Sequence, residues 1–167
     1  VDGITVVPLH SWYHSSFDLD PDVVDESIAP LEKVMMDFHA CKWPEGLTPL
    51  NGSDSIAKFM DDLNEEPLAS LDLPEPGSRK EPVISFSHFL PRRDLLPEKR
   101  TLFYPPLPKA VGSLPLGDRV RSLSPDLHVF GHTHYGWSTE LDGVRFVQAC
   151  MAYPRERVER GFSVNCN

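Results

Sequence analysis

The sequence predicts an α/β fold, because short apolar runs rich in β-branched residues are separated by stretches whose apolar residues recur at helical spacing. Two of the apolar runs, Val83–Ser87 and Leu127–Phe130, end next to histidines. The chain has 167 residues, of which 40% are hydrophobic, so it is long enough to bury a core and short enough for one domain. We therefore expect strands and helices that share a single hydrophobic core.

The first half of the chain predicts one strand followed by two helices. Residues Gly3–Leu9 have the pattern of a buried strand. A helix is predicted over Ile28–Phe38, where the apolar residues recur at helical spacing. Its apolar residues are Leu31, Val34, Met35 and Phe38. A second helix is predicted after an N-cap at Ser53 or Asp54. Its apolar face comprises Ile56, Phe59, Met60 and Leu63.

Two loop-rich stretches lie on either side of the strand predicted at Val83–Ser87. Residues 68–82 contain prolines and a glycine with few apolar anchors, and residues 91–115 are again rich in proline. A short helix is predicted from Asp118, because Val120 and the leucine three residues later share a face.

A β-hairpin is predicted near the end of the chain. Asp142-Gly143 lies between two β-prone runs, Trp137–Glu140 and Val144–Cys150, and Asp-Gly is a strong signal for a tight hairpin turn. The sequence shows no internal repeat, so we expect residues 1–167 to belong to one domain.

Histidines follow both of the central apolar strands. The run Leu127–Phe130 is stopped by Gly131, and His132 and His134 come directly after it. If the chain stays extended there, both imidazoles point to the same side at the carboxyl edge of the sheet, where open sheets bind ligands. His88 ends the other strand. Because neutral imidazole is a common metal ligand, this arrangement favours a three-histidine metal site over ordinary turn histidines.

These motifs resemble those of the calcineurin-like metallophosphoesterases. In that family one hydrophobic strand ends in a metal-binding histidine and a later one ends in Gly-His-x-His, which Ser87-His88 and Gly131-His132-Thr133-His134 match. The resemblance spans roughly Ile4 to Phe162, with its diagnostic motifs between Val83 and His134. It implies the C-terminal portion of a four-layer αββα sandwich with mixed sheets, and hydrolysis of a phosphate ester at a dinuclear metal centre.

The resemblance also implies the cofactors and their ligands. His88 and His132 would bind one divalent metal ion and His134 a second, and the ions would be manganese, iron or zinc. Arg92 and Arg93 follow the first histidine; they could contact the phosphate of the substrate, or they could be ordinary surface charge. Each ligand histidine also needs a hydrogen-bond acceptor that fixes its tautomer, and the sequence does not identify these acceptors.

Three further motifs of the family are missing from this sequence: Asp-x-His, Gly-Asp-x-x-Asp and Gly-Asn-His-Asp/Glu. The only Gly-Asp, Gly117-Asp118, follows His88 and is therefore in the wrong order. The chain also opens at Val1 within an apolar strand pattern. We therefore expect an N-terminally incomplete domain that is inactive alone, with no identifiable catalytic acid, and a parent protein that is a metal-dependent phosphatase or phosphodiesterase.

Two alternatives remain from the sequence. The chain could be a non-catalytic truncated module that keeps the fold and one three-histidine metal site. A histidine-zinc hydrolase of an unrelated family is disfavoured, because the sequence contains no His-Glu-x-x-His.

The segment from His10 to His14 resembles the aromatic loop that follows the third motif of the family. His10 and His14 are therefore expected near the mouth of the site, with a packing or surface role as the alternative.

Composition excludes several other functions. The net charge is −9 and lysine and arginine form no run, which argues against nonspecific nucleic-acid binding. No apolar run approaches the roughly 20 residues of a membrane span. Cys41, Cys150 and Cys166 are odd in number and widely spaced, which disfavours a disulfide framework and favours reduced thiols in the cytoplasm, although an upstream targeting segment could be missing. A phosphate-ester substrate is the one expected partner, and the oligomeric state stays open.

Overall fold

A five-stranded mixed sheet forms the centre of the part of the chain that the structure describes. The computed structural model describes residues 3–48, 53–149 and 153–160. The strands are β1 (Thr5–Pro8), β2 (Val83–Phe86), β3 (Leu127–Val129), β4 (Trp137–Leu141) and β5 (Val144–Gln148). They lie in the order β1-β2-β3-β5-β4. Strands β1, β2, β3 and β5 are parallel, and β4 pairs antiparallel with β5. The predicted α/β class with a mixed sheet is confirmed.

Short helices fill the connections between the strands. The α-helices are α1 (Leu31–Val34), α2 (Asp37–Ala40), α3 (Ser55–Asp62), α4 (Glu65–Ala69), α5 (Leu114–Leu123) and α6 (Pro154–Arg160). Single 3₁₀ turns lie at Ser15–Phe17, Arg93–Leu95, Lys99–Thr101 and Leu107–Ala110. The stretch 91–115, which the sequence predicts to be rich in loops, thus contains three 3₁₀ turns and the start of α5.

The continuous helix predicted over Ile28–Phe38 is wrong. Two one-turn helices, α1 and α2, take its place, and Met35 between them is extended, with φ −83° and ψ 122°. Each turn is anchored separately, since Leu31 is buried and Phe38 packs against the core. The apolar residues at this spacing therefore anchor two separate turns to the core and do not form one face of a continuous helix.

The second predicted helix is present as α3, with a smaller buried face than expected. Ile56 is buried, but Phe59 and Leu63 are exposed. Asp54 occupies the N-cap position without a side-chain capping hydrogen bond, whereas the Ser53 hydroxyl accepts one from the Ser55 N–H.

Helix α5 also begins four residues before the predicted start at Asp118. Its first turn contains a proline, which is favoured there because that position needs no N–H donor.

The predicted hairpin is confirmed. Strands β4 and β5 pair in antiparallel register, and the turn residues Asp142 and Gly143 both have positive φ, 52° and 79°. Two consecutive residues in this region define the tight turn that matches the twist of paired strands. Cys150, where the second predicted run ends, lies outside the described residues, as does Cys166; Cys41 is a free thiol.

The two faces of the sheet differ. On one face a row of paired residues is buried beneath α5: Val7, Ser85, His128 and Phe146. On the other face Val6 is 46% exposed and Phe86 is 44% exposed. The strand predicted at Gly3–Leu9 is present as β1, but it is an edge strand and only one of its faces is buried. No helix within the described residues is long and apolar enough to cross a membrane.

Candidate functional site

The carboxyl ends of β2 and β3 lie side by side and continue to pair beyond the last strand residues. The Ser87 N–H donates to the Val129 carbonyl at 3.0 Å, and the Gly131 N–H donates to the His88 carbonyl at 3.0 Å. Because both chains remain hydrogen-bonded here, the histidine after β2 is fixed beside the Gly-His-Thr-His segment after β3. These contacts show that the two histidine motifs meet at one edge of the sheet, as the sequence predicts.

His88 and His132 face each other directly. Nε2 of His88 lies 3.2 Å from Nδ1 of His132, and their ring centroids are 5.1 Å apart. Phe89 packs against both imidazoles, with centroid distances of 4.8 Å and 4.6 Å. Tyr13 covers the same phenyl ring at 5.3 Å. The two imidazoles are thus held in a fixed relative geometry by an aromatic wall.

Both rings of the pair are held in the neutral form. Burial lowers the pKa of His88, against a smaller opposing effect of the Asp37 carboxylate. Burial also lowers the pKa of His132, to about 4, with His88 acting in the same direction and a hydrogen bond to the Ala110 carbonyl opposing it. A neutral imidazole keeps a lone pair at pH 7, which is the form that binds a metal ion.

His134 reaches the site by a different route from the one predicted. The chain is not extended after Gly131: His132 and His134 both lie in the left-handed region, with φ 73° and 58°. Such conformations are costly for residues other than glycine and are held only by the surrounding structure. A positive charge on His134 would act to lower the pKa of both His88 and His132, so His134 lies within electrostatic range of the pair.

Thr133, between the two left-handed histidines, fixes this loop to the sheet. Its hydroxyl and the side-chain amide of Gln148 exchange hydrogen bonds at 3.1 Å, and Gln148 is buried at the end of β5. The Thr133 N–H also donates to the Gly131 carbonyl at 2.9 Å. The loop therefore has a polar anchor directly between the residues that carry its two imidazoles.

Two acidic residues near the histidines were missed by the sequence reasoning. Asp37 on α2 accepts a hydrogen bond from Tyr13, and burial raises its pKa while Tyr13 and His88 oppose the rise. Nothing in its sequence context marks it as a site residue. Glu156 on α6 contacts His134, with Oε2 at 2.9 Å from Nδ1. Pro154 followed two residues later by glutamate is typical of a helix start, but nothing in the sequence places this helix beside His134.

One solved structure is similar to this chain in fold. No protein-family model and no curated protein sequence matches the chain. The phosphopantetheinyl hydrolase of Mycobacterium tuberculosis is similar in structure, with a TM-score of 0.64 at 25% sequence identity. The match covers 93% of this chain and 52% of that one, so the chain spans about half the length of the hydrolase. Over nearly its whole length the chain therefore has the fold of part of a hydrolase.

The two arginines predicted to bind substrate are held in ion pairs. Arg92 contacts Asp94 at 2.8 Å and also the carboxylate of Asp142. Asp142 lies in the turn before β5, at the amino ends of the parallel strands, whereas the histidines follow their carboxyl ends. Arg93 contacts Asp20 at 3.1 Å. Substrate binding by Arg92 and Arg93 stays a prediction, and it would require these pairs to open.

His10 and His14 lie in the loop that follows β1. The backbone N–H and carbonyl of His10 are both hydrogen-bonded to the side-chain amide of Asn64, at 2.8 Å and 2.9 Å, and the residue itself is exposed. His14 is the N-cap of the first 3₁₀ turn, where its Nδ1 accepts from the Ser16 N–H. For His14 this is the packing alternative that the sequence left open; for His10 a place at the mouth of the site stays a prediction.

The donor atoms present match part of a metal site. Within residues 3–48, 53–149 and 153–160, no group of three or more His, Cys, Asp or Glu side chains is arranged to hold a metal ion. Nε2 of His88 and Nδ1 of His132, by contrast, are 3.2 Å apart, a separation that two nitrogens bound to one ion can have. Further ligands would have to come from elsewhere.

Proposed function

We propose that this chain supplies the histidine ligands of a two-metal phosphate-ester hydrolase. The 3.2 Å separation of His88 Nε2 and His132 Nδ1 carries the proposal. Metal-to-imidazole bonds are about 2.0–2.1 Å long, so two nitrogens at this distance meet a shared ion at an angle of about 100°, close to tetrahedral. Without an ion this contact is a hydrogen bond from one ring N–H to the other ring nitrogen, whereas a shared ion would use the lone pairs of both nitrogens.

The same proposal assigns His134 to the second ion. Manganese, iron and zinc all accept imidazole together with oxygen ligands, so the donor types do not distinguish them. Divalent ions in such a pair polarise the phosphoryl oxygens and activate water as a nucleophile. The residues of this chain orient the site: Phe89 and Tyr13 exclude water from one side of the histidine pair, and the Ala110 carbonyl holds the His132 ring.

Full activity is proposed for a longer parent protein rather than for these 167 residues. The described residues provide two ligand positions on one ion and one imidazole for the other, and a dinuclear centre needs more donors than that. The hydrolase of similar structure has about twice the length of the matched region. The remaining ligands and a catalytic acid are therefore proposed to lie in the part that has no counterpart here.

A non-catalytic module is the second candidate, and the incomplete ligand set favours it. In that case the chain keeps the fold and a histidine site that binds metal without turnover. The two candidates share the histidines and differ in whether the gene product contains the remaining ligands and hydrolyses anything.

Hydrolysis by the full-length gene product tests the proposal. The protein is loaded with manganese, iron or zinc and assayed on aryl phosphate monoesters, aryl phosphodiesters and a phosphopantetheinyl conjugate. Metal-dependent turnover is expected, together with a loss of on the order of 100-fold or more in His132→Ala and His134→Ala. His39→Ala, at an exposed histidine on α2, is the matched control and should keep wild-type turnover. Turnover unaffected by both site substitutions contradicts the proposal, and metal binding without turnover supports the module.

A further inference from the structure

Glu156 makes two hydrogen bonds through a single carboxylate oxygen. Its Oε2 lies 2.9 Å from His134 Nδ1 and accepts from the Tyr153 N–H at 2.8 Å. The Tyr153 ring packs edge-on against the imidazole, with 5.0 Å between the centroids. An acid on helix α6 and the aromatic residue just before the helix thus both contact the third histidine of the site.

The chemistry of the carboxylate fixes the proton on this imidazole. An ionised carboxylate has no proton to donate, so the hydrogen bond between Glu156 and His134 must be donated by Nδ1–H. In a neutral ring the lone pair then lies on Nε2, the nitrogen remote from α6. The tautomer of His134 therefore follows from the position of Glu156, and the Tyr153 N–H in turn holds that carboxylate in place.

We propose that Glu156 is the positioning residue for His134: its carboxylate selects the Nδ1–H tautomer and turns Nε2 toward the His88 and His132 pair. This inference rests on the proposed function, since it assigns how the third imidazole is prepared to bind the second ion. A carboxylate behind a ligand histidine fixes its ring orientation and raises its basicity. The backbone of His134 is in the left-handed region, with φ 58°, and the contact with Glu156 fixes its ring.

A purely structural role for Glu156 predicts something different. Glutamate at the third position of a helix can accept from the N–H of the N-cap residue, and the contact with Tyr153 has this form. If capping were its only role, replacing Glu156 would fray α6 and leave the tautomer of His134 unchanged. The tautomer is therefore the property that separates the two roles.

The experiment measures the His134 tautomer by two-bond ¹H–¹⁵N NMR correlation in the metal-free 167-residue chain, then its Co²⁺ affinity. The variants are Glu156→Ala, which removes the acceptor, and Glu156→Gln, whose amide oxygen can still accept from Nδ1–H. The matched control is Val158→Ala, since Val158 is exposed on the same helix. We expect Glu156→Ala to lose the Nδ1–H tautomer and to weaken Co²⁺ binding by roughly 10–100-fold.

Rescue by glutamine completes the design. Glu156→Gln should recover the tautomer and most of the affinity, and Val158→Ala should change neither. An unchanged tautomer in Glu156→Ala overturns the inference whatever the metal affinity. If Glu156→Ala changes the tautomer but the wild-type chain binds no Co²⁺, the assignment of Glu156 stands and the result instead counts against a metal site formed by this chain alone, so the two failures are distinguishable.

Discussion

His128 shows how strongly the sheet controls a single imidazole. It is fully buried in β3, with Nδ1 2.8 Å from the Ser85 hydroxyl and Nε2 3.1 Å from the Ser87 hydroxyl. Burial lowers its pKa from 6.5 to about 4. The sequence placed this histidine in a strand, and nothing in its pattern separated it from the site histidines four and six residues later. Its two serine partners, one in β2 and one just after it, make it a structural residue.

Acid should therefore destabilise the fold through His128. His128 binds a proton near pH 6.5 in the unfolded chain and only near pH 4 in the folded chain. Its contribution to the free energy of unfolding is therefore fully present above pH 6.5 and is lost as the pH falls to 4. The lost contribution to the free energy of unfolding is about 3 kcal/mol, because each unit of pKa difference corresponds to about 1.36 kcal/mol. His132 has a similar folded pKa of about 4 and adds to the loss with the same sign.

Urea unfolding of His128→Gln between pH 7 and pH 4 measures this contribution. Glutamine is neutral throughout and can still hydrogen-bond both serines, so the free energy of unfolding should fall by about 3 kcal/mol less than in the wild type. The exposed His39→Gln is the control and should follow the wild-type profile. An unaltered acid dependence in His128→Gln would show that the buried imidazole is not its source.

Among the elements, α5 ends in a strained residue that offers a clean test. Ser124 is its C-cap in the left-handed region, with φ 43° and ψ 61°, and its N–H donates to the Val120 carbonyl at 2.9 Å. Arg79 supports this end from the loop before β2 by donating to the Ser124 and Leu123 carbonyls. Glycine adopts the left-handed conformation without the Cβ penalty that serine incurs.

The same substitution two residues apart should therefore have opposite effects. Ser124→Gly is expected to raise the free energy of unfolding by up to about 1 kcal/mol, because it relieves the left-handed strain. Ser122→Gly, inside α5 and exposed, should lower it by about 0.5–1 kcal/mol, because glycine costs conformational entropy in a helix interior. Thermal or urea unfolding of both variants measures the difference. Destabilisation of equal size in the two would mean that Ser124 is not strained.

The elements that the sequence predicted well are those whose signal is local. The apolar runs that form β2 and β3, and the Asp142-Gly143 turn, each carry their information within a few residues. The segment Ile28–Phe38 failed because its apolar spacing reflects contacts with the distant core, which can be made equally by two broken turns. Glu156 and Asp37 were not identified as site residues for a related reason, since they come close to the histidines only in the tertiary structure.

At the scale of the whole molecule, one face of the sheet remains apolar and exposed. Parallel sheets are normally covered on both faces. Here the face that carries Val6 and Phe86 is open to solvent to 46% and 44% at these residues. The chain also matches only 52% of the hydrolase of similar structure. We predict that in a longer parent protein this face packs against a second sheet, as the αββα resemblance implies.

Removing the apolar character of this face should be visible in the isolated chain. Val6→Thr combined with Phe86→Thr keeps β-prone residues in both strands while reducing the exposed apolar area. The variant should bind less of a hydrophobic fluorescent dye than the wild type, with little change in the urea midpoint. Val24→Thr, at an exposed loop valine, is the control and should bind dye as the wild type does. Equal dye binding by the double variant would show that the face is not the exposed apolar surface.

Anomalous diffraction from zinc-loaded crystals of the full-length gene product tests directly whether these histidines bind metal. We predict a zinc peak about 2.0–2.1 Å from both His88 Nε2 and His132 Nδ1, and a second ion at His134 Nε2. A structure that instead shows the two imidazoles still in contact, with no zinc between them at saturating concentration, would contradict the claim that these histidines form a metal site.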